Sequence, residues 1–208
     1  MTVEEYLDIR TKVMAHPNGR AEIEWLRKAG RPKDSNDLAL RLASVVTSSG
    51  FEYRPELWER IGSALRRGRR IFPDVFGNKN KAAAIEKIWR DRRALFTTFK
   101  AIHTPQEALK WCEGIPYVQG PVLRYQAVRD LGVADVAKPD RHLERIAERA
   151  GEFLNELSKR LARSTGDSVG MVDMVLWNGA RLRIIPGISR RRGRVADCQP
   201  RARASRRR

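Results

Sequence analysis

Apolar residues recur along most of this chain at the spacing of one face of an α-helix. Leu38, Leu42, Val45 and Val46 form one such stripe, and no alternating pattern suggests paired strands. We therefore predict an all-α protein with on the order of ten helices. The predicted helices cover Val3–Ala15, Ala21–Lys28, a segment from Asp37 to the polar run 47–50, Leu57–Leu65, Ala82–Arg93, a segment that begins at Thr104, Pro121–Leu131, Pro139–Ala150, Phe153–Leu161 and Val169–Leu182.

The most informative stretch lies between residues 104 and 151. Thr104-Pro105-Gln106-Glu107 has the form of a capping box with proline at the first helical position. A turn-rich loop, 114–120, then leads to Pro121, which suits the start of the next helix. Pro139 opens a further helix, so Asp140 is predicted in its first turn, where free N–H groups favour a negative charge.

Composition and charge point to a polyanionic partner. The 208 residues are 41% hydrophobic and 32% charged, which is enough apolar material for a core. The formal net charge is +17, and residues 181–208, with eleven arginines and one aspartate, contribute +10 of it. Because a basic body remains without this tail, nucleic acid is the simplest partner; a generally basic protein is the alternative.

Cysteine usage and hydropathy exclude several other classes. Cys112 and Cys198 lie far apart and form no CxxC motif, which argues against an iron–sulfur centre or a structural zinc site. The N-terminal residues include several acids and no apolar run, so no signal peptide is expected. No stretch is long enough to span a membrane. We expect a cytoplasmic protein.

One motif resembles a known family. Residues 140–146, DRHLERI, are similar to the D-x-H-x-x-R-[IV] signature of the helix–hairpin–helix DNA glycosylase superfamily. The hairpin of that family precedes the signature, and 114–120 stands in the corresponding place, with Val118-Gln119-Gly120 keeping only the second glycine of the usual G-x-G. Residues 77–82 resemble the segment that leads toward the hairpin, and the likeness covers roughly 37–182.

The resemblance implies a fold and a domain organisation. We expect two helical lobes that flank a DNA-binding cleft, with one lobe using both chain ends. The glycosylase-like domain is predicted to cover 1–188. Residues 189–208 are too arginine-rich and too poor in apolar residues to fold, so we predict a disordered basic tail. Some relatives carry a four-cysteine iron–sulfur loop, which this chain lacks.

The same resemblance implies the site residues. Asp140 is the expected catalytic carboxylate, although capping a helix would explain it alone. The base pocket is predicted to include Ser48, Ser49 and Tyr53, although a plain helix end explains the two serines equally well. Trp111 and Trp177 are further candidates for the pocket, although their helical spacing is more typical of core residues. The predicted phosphate contacts are Lys79, Lys81 and the hairpin amides around Val118, Gly120 and Val122. Tyr117 and Gln119 are expected at the gap left by the extruded base. His142 is predicted either to hold the helix start or to touch a phosphate, and Arg145 either to pack or to touch a phosphate. No metal site or cofactor is expected, apart from a monovalent cation bridging the hairpin carbonyls.

The position of a missing lysine suggests the reaction. Family members that also cut the strand use a lysine just after the hairpin as a nucleophile, and this chain has Val122 there. We therefore predict a monofunctional glycosylase with no lyase activity; Lys110 and Lys138 are the alternative amines. Excision of an alkylated base, or of a hypermodified cytosine such as the glucosylated hydroxymethyl form in phage DNA, would suit repair or antiviral defence respectively.

Two further hypotheses stay open at this point. One is a non-catalytic DNA-binding module that kept the hairpin and lost the chemistry. The other, an RNA- or ribosome-binding protein, depends only on the arginine tail. For the glycosylase hypothesis, the partner is double-stranded DNA containing a modified base. The protein is then expected to act as a monomer, to be associated with the nucleoid and to bind no membrane.

Overall fold

The structure, a computed structural model, describes residues 1–48 and 55–188. Within these residues the secondary structure is entirely helical, which confirms the all-α prediction. The helices are α1 (Val3–Ala15), α2 (Pro17–Lys28), α3 (Ser35–Ser48), α4 (Pro55–Arg66), α5 (Lys79–Lys100), α6 (Pro105–Cys112), α7 (Pro121–Asp130), α8 (Arg141–Ala150), α9 (Leu154–Thr165) and α10 (Val169–Arg181). Ser49, Tyr53 and the arginine-rich segment 189–208 lie outside the described residues.

Capping explains both the correct and the incorrect helix boundaries. The capping box predicted at Thr104 is present at the start of α6. However, α2 begins at Pro17, four residues before the prediction, because the proline takes the first helical position and does not break the chain. Helix α3 also begins early, since Asp34 Oδ1 accepts hydrogen bonds from the amides of Asn36 (2.7 Å) and Asp37 (2.9 Å).

Two other boundaries differ from the prediction. Helix α5 continues to Lys100, seven residues past the predicted end, and the added turns bury Phe99 in the core. Helix α9 begins at Leu154, and Phe153, which was expected to face inward, is its largely exposed N-cap residue. The apolar stripe of α9 therefore depends on Leu157 and Leu161.

The buried apolar side chains form two separate clusters. One is built from α3 to α7 and includes Leu42, Ile85 and Val128; we call these helices the central lobe. The other is built from α1, α2 and α8 to α10 and includes Tyr6 and Val175; we call these helices the terminal lobe. The terminal lobe thus joins the first two helices of the chain to the last three, across the whole central lobe.

Two chain crossings connect the lobes, and they touch each other. Gly132 follows α7 with a φ of +62°, in the left-handed region that favours glycine. A Cβ atom at Gly132 would lie 2.8 Å from the backbone carbon of Gly30, which follows α2. Beside this contact Arg31 donates from Nη2 to the carbonyl oxygens of Phe99 (3.2 Å) and Ile102 (2.9 Å). The lobes are therefore held together by backbone contact as well as by side chains.

In the described part of the chain, no helix is both long and apolar enough to cross a membrane.

Candidate functional site

A cleft opens where the two lobes meet. The empty space within it and at its mouth, open solvent included, amounts to about 760 Å³. Three tryptophans line it: Trp25 from α2, Trp58 from α4 and Trp177 from α10. Trp177, for which the sequence allowed either the core or the pocket, is therefore a cleft residue. Trp111 does pack at the central core, with its ring centroid 5.6 Å from that of Phe99.

A buried ion cluster forms the floor of this cleft and bridges the lobes. Arg129 from α7 donates from Nε to Asp130 Oδ1 at 2.8 Å and from Nη1 to Asp173 Oδ2 on α10. Burial alone would lower the pKa of Arg129, but the charges of Asp130 and Asp173 outweigh it and raise the pKa. Burial raises the pKa of Asp173, although Arg129 opposes that effect. The cluster fixes the relative position of α7 and α10.

Lys138 extends this cluster toward the cleft. Its amide donates to Asp173 Oδ1 at 2.8 Å. Its side chain is only 8% exposed, with Nζ 4.7 Å from the ring centre of Trp177 and 3.9 Å from Asp140 Oδ2. Burial lowers the pKa of Lys138 despite the nearby carboxylates. Nζ donates no hydrogen bond to any residue in 1–48 or 55–188, so its N–H groups are available to a molecule in the cleft.

Asp140, immediately before α8, does not itself line the cleft, but it lies next to the cleft-lining Lys138. It is the N-cap residue, not a first-turn residue as predicted, because its Oδ1 accepts the amide N–H of His142 at 2.8 Å. Its Oδ2 is left for Lys138 Nζ, and the side chain is 17% exposed. The cap therefore fixes one oxygen, while the other faces the cleft-lining lysine. A carboxylate held in this way can stabilise positive charge on a neighbouring group.

The other residues of the DRHLERI motif lie beside Asp140. The Nδ1 atom of His142 is buried and has no hydrogen-bond partner among the described residues, while its backbone holds Asp140. Arg145, one turn along α8, is partly exposed. Neither side chain lines the cleft, so a direct role at a base is not indicated for them; their predicted phosphate contacts stay predictions.

Glu22 also lines the cleft, and no pattern in the sequence pointed to it. Its side chain, from α2, is only 7% exposed. Its Oε2 accepts a hydrogen bond from Asn178 Nδ2 at 2.9 Å. Its Oε1 forms an ion pair with Arg181 Nη2 at 3.1 Å but accepts no hydrogen bond from the described residues. Burial raises the pKa of Glu22. A charged residue on a short helix normally faces solvent, so only the packing of α2 against α10 reveals this position.

The segment between α6 and α7 turns sharply and exposes its tip. Tyr117 has a φ of +70°, and both Tyr117 and Gln119 are exposed. The centre of the Tyr117 ring lies 5.6 Å from Lys81 Nζ. Val118, predicted to bind phosphate through its amide, cannot do so directly, because its side chain is fully buried and its N–H donates to Ile115 O at 3.1 Å. This correction follows from the apolar side chain, which anchors the turn to the core.

The start of α7 retains free amides. Gly120 caps the helix without a side-chain hydrogen bond, and Pro121 takes the first helical position. Within 1–48 and 55–188 no group accepts a hydrogen bond from the amides of Gly120 and Val122. Both N–H groups therefore remain available at the positive end of α7.

The two predicted lysine contacts differ in accessibility. Lys79 is exposed at the start of α5, where the predicted phosphate contact is sterically open. Lys81 is buried, and its burial lowers its pKa; its predicted contact with a DNA phosphate stays a prediction. Lys81 lies on the buried face of α5, because Ala84 and Ile85, three and four residues further along the helix, are buried on the same side.

Ser48 does lie in the cleft, as predicted for a pocket residue. Its Oγ is 3.2 Å from Gln126 Oε1 on α7, and both residues line the cavity. The residue therefore belongs to the wall that α3 contributes beside the tryptophans.

Comparison of the chain with protein-family models, with curated proteins and with solved structures finds no match.

Proposed function

We propose that the protein is a monofunctional DNA glycosylase, which flips a modified base out of double-stranded DNA, hydrolyses its N-glycosidic bond and leaves an abasic site. The observation on which this depends is the position of Asp140. Its carboxylate is fixed at the start of α8, with Oδ2 3.9 Å from Nζ of Lys138, and Lys138 lines the cleft that contains the tryptophans. The resemblance of residues 140–146 to the glycosylase signature supports the same assignment.

The chemistry requires an anion next to the sugar. Breaking the bond between C1′ and the base nitrogen leaves positive charge on the sugar, and a carboxylate beside C1′ stabilises that charge. Asp140 would provide this charge and orient the water that attacks C1′. The amide of His142 holds the carboxylate in place, so little reorganisation is needed during the reaction.

Helix α7 would connect recognition of the DNA backbone with the cleft. Its free N-terminal amides, at Gly120 and Val122, suit a phosphate. Gln126, six residues further along α7, lines the cleft, so a rise of about 1.5 Å per residue separates the two ends by roughly 9 Å. This spacing is of the order of one nucleotide. A backbone phosphate on the hairpin and an extruded base in the cleft can thus belong to neighbouring nucleotides.

The composition of the chain is consistent with a DNA partner. The net charge of +17 favours a polyanion, and Lys79, Tyr117 and Gln119 are all exposed. Three tryptophans in one cleft suit a planar base that has left the stack, since stacking contributes about 1 to 3 kcal/mol per base. An alkylated base, or a hypermodified cytosine such as that of phage DNA, is the proposed substrate.

Conversion of Asp140 to Asn tests the proposal directly. Asparagine caps a helix as well as aspartate does, so Asp140→Asn should fold normally while losing the charge next to C1′. Release of base from a panel of modified duplexes should fall by roughly 100-fold or more. The release is measured by alkali cleavage of the abasic sites and by mass spectrometry of the freed base.

A matched control uses the other aspartate cap described above. Asp34 caps α3 on an exposed surface, so Asp34→Asn makes the same chemical change away from the cleft and should leave base release unchanged. If the wild-type protein binds the duplexes but forms no abasic site on any of them, the non-catalytic DNA-binding hypothesis is correct. If Asp140→Asn releases base at the wild-type rate, Asp140 is not the catalytic carboxylate.

A further inference from the structure

We propose that the tryptophan-lined cleft selects bases that bear an amino group, with Glu22 Oε1 accepting the amino N–H and Lys138 Nζ donating to the neighbouring ring nitrogen or carbonyl. The inference rests on the proposed glycosylase function and names the substrate class of that site. It assigns specificity to two side chains that belong neither to the DRHLERI motif nor to the hairpin.

Glu22 provides a buried acceptor oxygen that has an ion pair but no hydrogen bond among the described residues. Its side chain is only 7% exposed, and Asn178 engages Oε2 at 2.9 Å. Oε1 receives no hydrogen bond from the described residues, and its ion pair with Arg181 at 3.1 Å balances the charge. A buried polar atom without a hydrogen bond is costly, so a ligand that donates one N–H to Oε1 gains the full benefit of satisfying it.

Lys138 provides the complementary donor in the same cleft. Its Nζ is held over the ring of Trp177 at 4.7 Å, and its nearest described carboxylate is that of Asp140 at 3.9 Å, beyond hydrogen-bond distance. The ammonium carries three N–H groups, and none of them has an acceptor among the described residues. A ligand acceptor beside the tryptophan would satisfy one of them.

The amino-bearing bases present this combination on one edge. Cytosine and adenine each carry an exocyclic N–H₂ donor directly beside a ring-nitrogen acceptor. Trp25, Trp58 and Trp177 provide apolar faces for the ring itself. Because Lys138 contacts both the cleft and Asp140, a base held by Lys138 would place its sugar toward the catalytic carboxylate.

Binding of nucleosides in the absence of DNA separates this inference from catalysis. The full-length protein is titrated with deoxycytidine and with the deoxyriboside of pyrimidin-2-one, which has hydrogen in place of the amino group, and tryptophan emission is followed. Deoxyadenosine and purine deoxyriboside form the equivalent purine pair. In at least one pair, we expect the amino form to bind about 10- to 100-fold more tightly, as for a hydrogen bond to a charged group.

Two variants of the same helix locate the effect. Glu22→Gln keeps the size of the side chain and an acceptor for Asn178 but removes the charge. The ratio of the affinities for the amino and hydrogen forms should therefore fall to less than about threefold, which is the loss expected for a charge-assisted hydrogen bond. Glu24→Gln removes the same charge from the exposed side of α2 and should leave the preference unchanged. Thermal unfolding of both variants checks that they are folded.

The outcomes decide between the two levels of the proposal. Equal binding of amino and hydrogen forms in both pairs, or no saturable binding of any nucleoside, would overturn the assignment of Glu22 even if the enzyme releases base from DNA. A preference that Glu22→Gln leaves intact would overturn it as well. A preference that depends on Glu22, in a protein that never forms abasic sites, would uphold the cleft assignment and refute the glycosylase.

Discussion

The ion cluster between the lobes allows a quantitative prediction of stability. Arg129 is 5% exposed and Asp173 is fully buried, and their contact joins α7 of the central lobe to α10 of the terminal lobe. We consider two substitutions, Arg129→Met and Asp173→Asn. Each leaves the other partner in place, and a buried charge that has lost its partner typically costs about 3 to 5 kcal/mol.

The structure predicts which substitution costs more. After Asp173→Asn, Arg129 still donates to Asp130 at 2.8 Å, so the loss should be near the lower limit, about 3 kcal/mol. After Arg129→Met, two buried carboxylates face each other without the guanidinium, so the loss should approach about 5 kcal/mol. For a chain of this size, these losses correspond to a fall in Tm of roughly 6 to 20 °C.

Urea unfolding of the two variants and of the double variant measures the coupling. The double variant should be less destabilised than the sum of the two single variants by more than about 1 kcal/mol, because the second substitution removes a charge that the first has already left unpaired. Two single losses below about 1 kcal/mol, or strict additivity, would refute the conclusion that this pair holds the lobes together.

Three further predictions concern other parts of the molecule. Gly151→Ala should lower the free energy of unfolding by roughly 1 kcal/mol, because the glycine has a positive φ. Gly132→Ala should lower it by clearly more, since this glycine also has a positive φ and, unlike Gly151, has a backbone atom within 3 Å of the added carbon. Urea unfolding compares the two variants. In a Cys198→Ser variant, Cys112 should not react with an aromatic disulfide reagent at pH 8 until the protein unfolds, because burial raises the pKa of its thiol to about 12; rapid labelling of the native protein would contradict its burial. Borohydride should trap no covalent adduct between the protein and abasic DNA, because the start of α7 carries no lysine that could act as the reacting amine. If an adduct does form and Lys138→Arg abolishes it, Lys138 is the reacting amine.

Local signals in the sequence predicted the parts of the fold that depend on neighbouring residues. Helix α1 has the predicted bounds, and the capping box of α6 is present, because a cap is decided by residues within four positions of one another. The same signals misplaced the start of α2, where proline was taken as a break and is the first helical residue. Proline has both roles, and only the conformation of the residue before it distinguishes them.

The cleft was much less predictable than the helices. Asp140 and Ser48 could be proposed from their places at helix ends, and both lie in or beside the cleft. Glu22, Arg129 and Asp173 could not, because each is a charged residue that becomes buried only when α2, α7 and α10 pack together. Pairing across more than forty residues, as between Arg129 and Asp173, leaves no periodic signature.

The way in which the terminal lobe is assembled has a consequence for synthesis of the chain. Helices α1 and α2 are synthesised before the central lobe, yet their apolar faces pack largely against α9 and α10, which are synthesised more than a hundred residues later. The intervening residues, Ser35 to Asp130, form a contiguous core that can close as soon as it is translated. During translation the central lobe should therefore fold while α1 and α2 still expose Tyr6, Val13 and Ile23. We expect these exposed apolar residues to be the site at which a chaperone binds the nascent chain.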